Sequence, residues 1–351
     1  MNVQELLERA VEDRASDIFI VSGLPASYRT DINIIKVDDG RLMPPDTQRY
    51  LEQIYALAGN RSMDDLLTNG DDDFSFAIPN LSRFRVSAYK QRGTLSAVVR
   101  VITFSLPSPD ELGIPNTIIK TGSLPKGLVL VTGPAGSGKS TTLACIVDHI
   151  NENMEKHIIT LEDPLEFLHR HKKSIVSQRE INVDTESYVT ALRASLRQSP
   201  DVILLGEMRD YETIEVAMTA AETGHLVIST LHTIGAANTI DRIIDVFPAN
   251  QQRQIAVQLS MVLQAVVSQQ LVPGIDGRRV PAFEIMTITP AIRNMIRDNK
   301  IPQIEGIIYS SNKEDMLSMD NSLINLYKNN KITAETALTY ASNPEMMKKR
   351  L

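Results

Sequence analysis

One segment constrains this chain more than any other. Gly127-Leu-Val-Leu-Val-Thr132 is an apolar run, followed at once by Gly133-Pro134-Ala135-Gly136-Ser137-Gly138-Lys139-Ser140. The second string matches G-x-x-x-x-G-K-[ST] in full, and the segment from Thr141 to Ile150 behind it reads as a helix. Strand, loop and helix are the context this motif requires. Glycines let the loop wrap so that several backbone N–H groups face one phosphate chain. The helix N-terminus adds partial positive charge. Lys139 is placed to reach the β- and γ-phosphates, and the Ser140 hydroxyl to ligate Mg²⁺. Residues Gly133 to Thr141 are therefore expected to hold a nucleotide triphosphate with Mg²⁺.

A phosphate loop of this kind needs an acidic partner on a neighbouring strand. Asp201-Val-Ile-Leu-Leu-Gly206-Glu207 offers one. Its four apolar residues read as a buried strand, and Glu207 emerges at the carboxyl end, where open parallel sheets bind ligands. Asp is the common residue there and Glu is a departure, whose longer arm is expected to reach the metal through water instead of directly. A third acidic group, Glu162-Asp163-Pro164-Leu165-Glu166, follows the strand His157–Leu161. Three carboxylates so close repel one another and call for a nearby cation. The same string also reads as a solvated turn around Pro164. In Gly224-His225-Leu-Val-Ile-Ser-Thr230-Leu-His232-Thr233, unbroken strand alternation would put the two histidines on opposite faces. They do not look like a metal pair, but Thr230 and His232 could sense a terminal phosphate.

The rest of the chain sets these sites in two domains. Residues 1–104 read as a mixed α+β domain. A helix carries Val3, Leu6, Leu7, Ala10 and Val11 at amphipathic spacing. Strands at Asp17–Val21 and Tyr28–Val37 and helices at Thr47–Ala58 and Arg61–Asn69 follow. Further strands fall at Phe74–Ile78, Arg83–Tyr89 and Leu95–Ile102. Short turns between strands imply an antiparallel sheet with helices on one side. Pro107, Pro109 and Pro115 mark residues 105–116 as a linker. From 117 to 351 the pattern is α/β. Short apolar runs at Gly127–Thr132, His157–Leu161, Val202–Leu205 and Leu226–Leu231 alternate with helices, as in a parallel sheet covered on both faces. Beyond about residue 250 the chain reads as mostly helical. The run Ile255–Val272, interrupted by Gln258, Gln264 and Ser268, reads as one packed helix. A helix starts at Thr289–Pro290, with Thr as N-cap and Pro in the first turn.

Composition narrows the class. Lys and Arg total 36 against 43 Asp and Glu, a net charge of -7, which lacks the basic footprint of a dedicated nucleic-acid binder. Cys145 is the only cysteine, so no intrachain disulfide framework exists and a reducing compartment is expected. No apolar stretch approaches the ~20 residues of a spanning helix. The segment MNVQELLERAVEDR has no basic region followed by an apolar core, and a signal peptide is not expected there. The expectation is a cytoplasmic protein.

The strings GPAGSGKST, ITLEDPLEFLH, LLGEMRD and TAAETGHLVISTLHT, in this order and spacing, resemble the ATPases of type II secretion and type IV pili. ASDIFIVSGLP, DRIIDVFP and PAIRNMIRDNKIPQI are similar to the pilus-retraction branch. The assembly branch usually carries an extra N-terminal domain and a four-cysteine zinc module, and neither is expected here, Cys145 being the one cysteine. The segments Arg29–Asn33 and Lys90–Ser96 depart from the retraction pattern. The resemblance implies a RecA-like P-loop NTPase domain preceded by a smaller α+β, PAS-like domain. It implies Glu166 as the general base and Glu207 as the residue serving Mg²⁺. It also implies a homohexameric ring with ATP held between the two domains and arginines supplied by the small one.

Arg85 and Arg100 are the candidates for that role. Arg83 and Arg85 share a strand face opposite Phe84, Val86 and Ala88, and Arg100 interrupts an otherwise apolar strand that should provide it with a partner. Arg83 and Arg92 are weaker candidates. Arg193 and Arg209, on expected helical surfaces, are not assigned. The implied activity is ATP hydrolysis powering pilus retraction through an inner-membrane platform protein, with peripheral membrane association through partners and no nucleic acid. The competing readings are an assembly or secretion motor of the same superfamily, and a nucleic-acid translocase. The charged segment Ala291–Gln303 is a candidate for functional coupling in the retraction branch.

Overall fold

The computed structural model describes residues 2–30, 33–102, 106–311, 313 and 315–351. Asp31 and Ile32, in the departing segment Arg29–Asn33, lie outside the described residues, as do Thr103, Phe104 and Ser105, where the first domain was expected to end and the linker to begin. Two compact units divide the chain. One is Met1–Ser105 with Glu166–Leu168, and the other is Leu106–Leu165 with His169–Leu351.

The first unit opens with α1 (Val3–Glu12). Its entry is capped reciprocally: the Glu5 N–H donates to Asn2 Oδ1 at 2.8 Å, and the Asn2 N–H donates to Glu5 Oε2 at 2.9 Å. Val3, Leu6, Leu7 and Ala10 are buried along one face. With α2 (Pro44–Leu57) and α3 (Asp64–Asn69), α1 packs on an antiparallel sheet. Its strands are β1 (Asp17–Ile20), β2 (Ser27–Thr30), β3 (Asn33–Lys36), β4 (Asp71–Ile78), β5 (Ser82–Gln91) and β6 (Thr94–Ile102), in the order β3-β2-β1-β6-β5-β4. The single strand expected over Tyr28–Val37 is instead the hairpin β2–β3, with Thr30 opposite Asn33.

In the second unit, α4 (Asn116–Ile119) precedes an eight-stranded sheet. Its strands are β7 (Gly127–Thr132), β8 (His157–Glu162), β9 (Ile175–Glu180), β10 (Val202–Leu205), β11 (Leu226–Leu231), β12 (Leu263–Pro273), β13 (Arg279–Thr287) and β14 (Met316–Leu317). The order is β14-β13-β12-β7-β11-β10-β8-β9. The strands from β12 to β9 pair in parallel, and β13 and β14 are antiparallel. Every residue of β7, β10 and β11 is buried, as a sheet covered on both faces demands.

Helix α5 (Lys139–Asn153) packs with α4 on one face, joined by Val129 and Val131 of β7. Leu128 and Leu130 face the other way, onto α6 (Tyr188–Ser195), α7 (Tyr211–Glu222), α8 (Ala236–Asp245), α9 (Ala249–Val262), α10 (Pro290–Arg297) and α11 (Pro302–Ser310). The C-terminal α12 (Met319–Lys328), α13 (Ala334–Tyr340) and α14 (Pro344–Lys348) form a small core of their own with Val272 and Ala282.

Two expectations are corrected here. Ile255–Val272 is not one helix: α9 ends at Val262 and β12 begins at Leu263. Nor is the chain beyond residue 250 simply helical, since β12 and β13 pair from Ala265 opposite Thr287 to Pro273 opposite Arg279. A short apolar run fits either element by periodicity, and the β-branched Val266, Val267 and Val272 favour the strand. From Thr289 onward the helical reading holds. The Thr289 hydroxyl accepts the Ile292 N–H at 3.2 Å, with Pro290 in the first turn.

Candidate functional site

The phosphate loop leaves the carboxyl end of β7 and enters α5, which begins at Lys139, two residues before the expected start. The tip, Pro134-Ala135-Gly136, is exposed, while Gly133, Ser137 and Lys139 are buried. The bend needs its glycines. Gly133 has φ 141°, and a Cβ there would lie 2.1 Å from the carbonyl oxygen of Gln269. Gly138 has φ 86°, and a Cβ there would lie 2.9 Å from Gln269 Nε2. Lys139 Nζ donates to the carbonyls of Gly133 and Pro134, each at 2.9 Å. The Ser137 hydroxyl is buried with no hydrogen-bond partner among the described residues, a polar atom beside Gly133 in the cradle. Ser140 and Thr141 follow in the first turn of α5, half-buried. A cradle that a methyl group would fill, with an orphaned hydroxyl and a lysine across it, fits a phosphate chain.

The neighbouring strands end at the same edge. Leu231 of β11 pairs with Thr132 of β7, and Leu205 of β10 pairs with Ser229 of β11. Glu207, two residues past β10, accepts a hydrogen bond from the Arg209 guanidinium and lies 3.2 Å from His232 Nε2 through its other oxygen. Burial alone would raise the Glu207 carboxyl. The hydrogen bonds from Arg209 and His232 outweigh it and hold the group below its ordinary value. Thr230 does not point into the open. Its hydroxyl donates to the Gly206 carbonyl at 2.6 Å and fastens β11 to the turn before Glu207. His225 Nδ1 lies 2.9 Å from the Ala220 carbonyl at the end of α7, apart from His232.

Glu162 ends β8, and its Oε1 accepts from the Thr160 hydroxyl at 2.6 Å and from Gln178 Nε2 at 3.4 Å. The Tyr188 phenol sits against the same edge. Its pKa is pushed up by burial first, then by the charges of Glu207, Asp163 and Glu162. Glu166 is exposed, in the loop between β8 and β9, within the segment Glu166–Leu168 that groups with the first unit.

In that unit, Arg85 of β5 stands directly opposite Arg100 of β6, and Arg100 opposite Asp17 of β1. Arg100 Nε donates to Asp17 Oδ1 at 3.0 Å. The strand does provide a partner, but the Arg100 side chain is 64% exposed rather than held among apolar neighbours. Arg83 and Arg85 are half-buried, opposite the buried Phe84, Val86 and Ala88 as the alternation requires.

Three features of the second unit are not marked by the sequence pattern. Arg209 lies in a loop, not on a helix, and contacts Glu207. Its signal was the two-residue spacing from a strand-end carboxylate. Gln269, a single amide in the run Ala265–Val272, touches the phosphate loop. A pocket of 660 Å³ lies elsewhere in the unit, between α8, α11 and α12, while one of 810 Å³ opens beside the loop. The latter is lined by Gly138, Thr141, Ile114, Leu271 and Pro281, with Lys331 at its side. Its walls come from residues more than 100 positions apart, which no local pattern reports.

Comparison with known proteins identifies the family. A family model described as "Type II/IV secretion system protein" matches residues 1–314. The type IV pilus retraction ATPase PilT of Pseudomonas aeruginosa is 45% identical over 323 residues, covering 92% of this chain and 93% of that protein. A twitching motility protein of Neisseria gonorrhoeae is 51% identical over 256 residues, 73% of this chain and 68% of its own. The crystal structure of the pilus retraction motor PilT with bound ADP superposes with a TM-score of 0.90 at 44% identity, covering 99% of each chain. Among the described residues no helix is long and apolar enough to cross a membrane. The chain belongs to the type II/IV secretion system family of ATPases, with the retraction motors among its near relatives.

Proposed function

We propose that this chain is a Mg²⁺-dependent ATPase motor that withdraws the subunits of a type IV pilus, working as a homohexamer against an inner-membrane platform protein at the cytoplasmic face. One observation carries the reading. The loop Gly133–Thr141 leaves β7 at the sheet edge where Glu207 and His232 meet.

The residues divide the work as follows. Backbone N–H groups of the loop and the first turn of α5 bind the phosphate chain, and Lys139 offsets its β and γ charge. Ser140 and Glu207 would hold Mg²⁺, which when bound neutralises charge on the phosphates. A carboxylate kept ionised by Arg209 and His232 is a weak base, and that suits Glu207 to a metal better than to proton abstraction. Glu166 takes the proton of the attacking water. Arg85 and Arg100 of the 1–104 domain supply planar charge to the transferring phosphoryl group, with 105–116 as the linker to the ATPase domain at 117–351. The apolar wall of the 810 Å³ pocket receives the base.

Deleting the gene in its own host tests the direction of the motor. Filaments that accumulate on the surface while twitching is lost, with both corrected by the wild-type gene but not by Glu166→Gln, are expected. A strain that loses its surface filaments would instead mark an assembly motor.

A further inference from the structure

Two adjacent polar residues of β12 are buried: Ser268 is 0% exposed and Gln269 3%. Strand alternation sends them to opposite faces. The Ser268 hydroxyl accepts the Gly235 N–H at 2.9 Å, at the entrance to α8 and three residues after His232. Gln269 faces α5. Its Oε1 accepts from the Thr142 hydroxyl at 2.7 Å, and Thr142 is wholly buried in the first turn of that helix. The same residue underlies both ends of the phosphate loop. Its carbonyl oxygen occupies the space a Cβ on Gly133 would need, and its Nε2 the space beside Gly138.

A buried carboxamide is costly unless hydrogen-bonded, and an apolar residue would suit the sheet interior better, as Val267 and Val272 do. The polar contact it makes is with the helix that carries the loop. We infer that Gln269 is a positioning residue for nucleotide binding, fixing the first turn of α5 through Thr142 and so the direction of the N–H groups that meet the phosphates. The inference rests on the loop being the nucleotide site. Preorganised donors lose much of their effect when displaced by a fraction of an ångström. The pair therefore acts on affinity more than on folding. It also gives the loop a direct connection to β12, whose neighbouring residue holds the entrance to α8.

The test uses the full chain and ADP as the probe, with affinity and nucleotide-free melting temperature measured for Gln269→Leu, Thr142→Val and the double variant. Each single variant is expected to weaken ADP binding about tenfold, the scale of a lost buried hydrogen bond. The double variant should lose no more than either single one, because both remove the same contact. Thr142→Ser, which keeps the hydroxyl, should bind as the wild type does. Thr142→Val carries the test should Gln269→Leu fold poorly. ADP affinity unchanged in the singles, or losses that multiply in the double variant, would overturn the inference. Lys139→Ala runs alongside. If it loses ADP while the Gln269 and Thr142 variants do not, the positioning role alone is wrong. If it too binds normally, the loop is not the nucleotide site and the inference falls with it.

Discussion

His232 Nε2 and Glu207 Oε2 lie 3.2 Å apart, joining the ends of β11 and β10 at the edge where the phosphate loop leaves β7. Arg209 holds the other carboxylate oxygen. A carboxylate fixed in this way couples the site to pH and ties two of its loops together.

That coupling has a sign. The folded-state pKa of Glu207 lies below its ordinary 4.5. Stability from the group is therefore fully present above that ordinary value and is lost as pH falls through the folded one. Glu207→Gln is expected to melt below the wild type at neutral pH, with the gap closing as pH drops under the ordinary value. Thermal unfolding of both proteins across the acid range checks this, and a gap independent of pH would contradict it.

The two carboxylates should separate by kinetics. Glu166→Gln is expected to keep Mg·ATP binding and lose ~10²–10⁴-fold in turnover, the usual scale for a missing general base. Glu207→Gln should instead shift the Mg²⁺ concentration needed for half-maximal activity. Steady-state phosphate release across a Mg²⁺ titration distinguishes them. The Mg²⁺ shift appearing in Glu166→Gln alone would reverse the roles.

Arg85 and Arg100 face each other across β5 and β6, like charges that would repel without a compensating anion. Asp17 supplies one to Arg100. Arg85→Ala and Arg100→Ala are expected to lower turnover far more than ATP affinity. The loss should be part of the ~10³–10⁵ that a full arginine finger supplies, as two residues share the task. Lys at either position should not restore activity, since a point charge lacks the planar fork. Turnover and nucleotide affinity, measured for both variants, decide this. Unchanged turnover in both Ala variants would make these arginines structural.

The parts of this molecule that were legible in the sequence are those set by local rules. Gly133 to Thr141 could be placed because a strand, a glycine-rich bend and a helix follow one another without interruption. Glu207 could be placed because four buried residues precede it on β10. Four strands of the second unit, β7, β8, β10 and β11, followed from apolar runs alternating with helices. What stayed hidden depends on tertiary pairing. The run through Val266 and Val267 is a strand because β7 pairs with it on one side and β13 on the other. Gln269 meets Thr142 across 127 positions of sequence, and Arg100 meets Asp17 across 83. Thr230 looked like a phosphate sensor from its place after an apolar run, yet its hydroxyl is spent on the Gly206 carbonyl.

Phosphate release by Lys139→Ala tests the account most directly. The Lys139 ammonium crosses the loop to Gly133 and Pro134, so its loss leaves the apolar core of the unit intact. The variant should fold and melt close to the wild type while releasing no phosphate from ATP above background. A folded Lys139→Ala protein that turns over ATP at the wild-type rate would show that this loop does not power the motor.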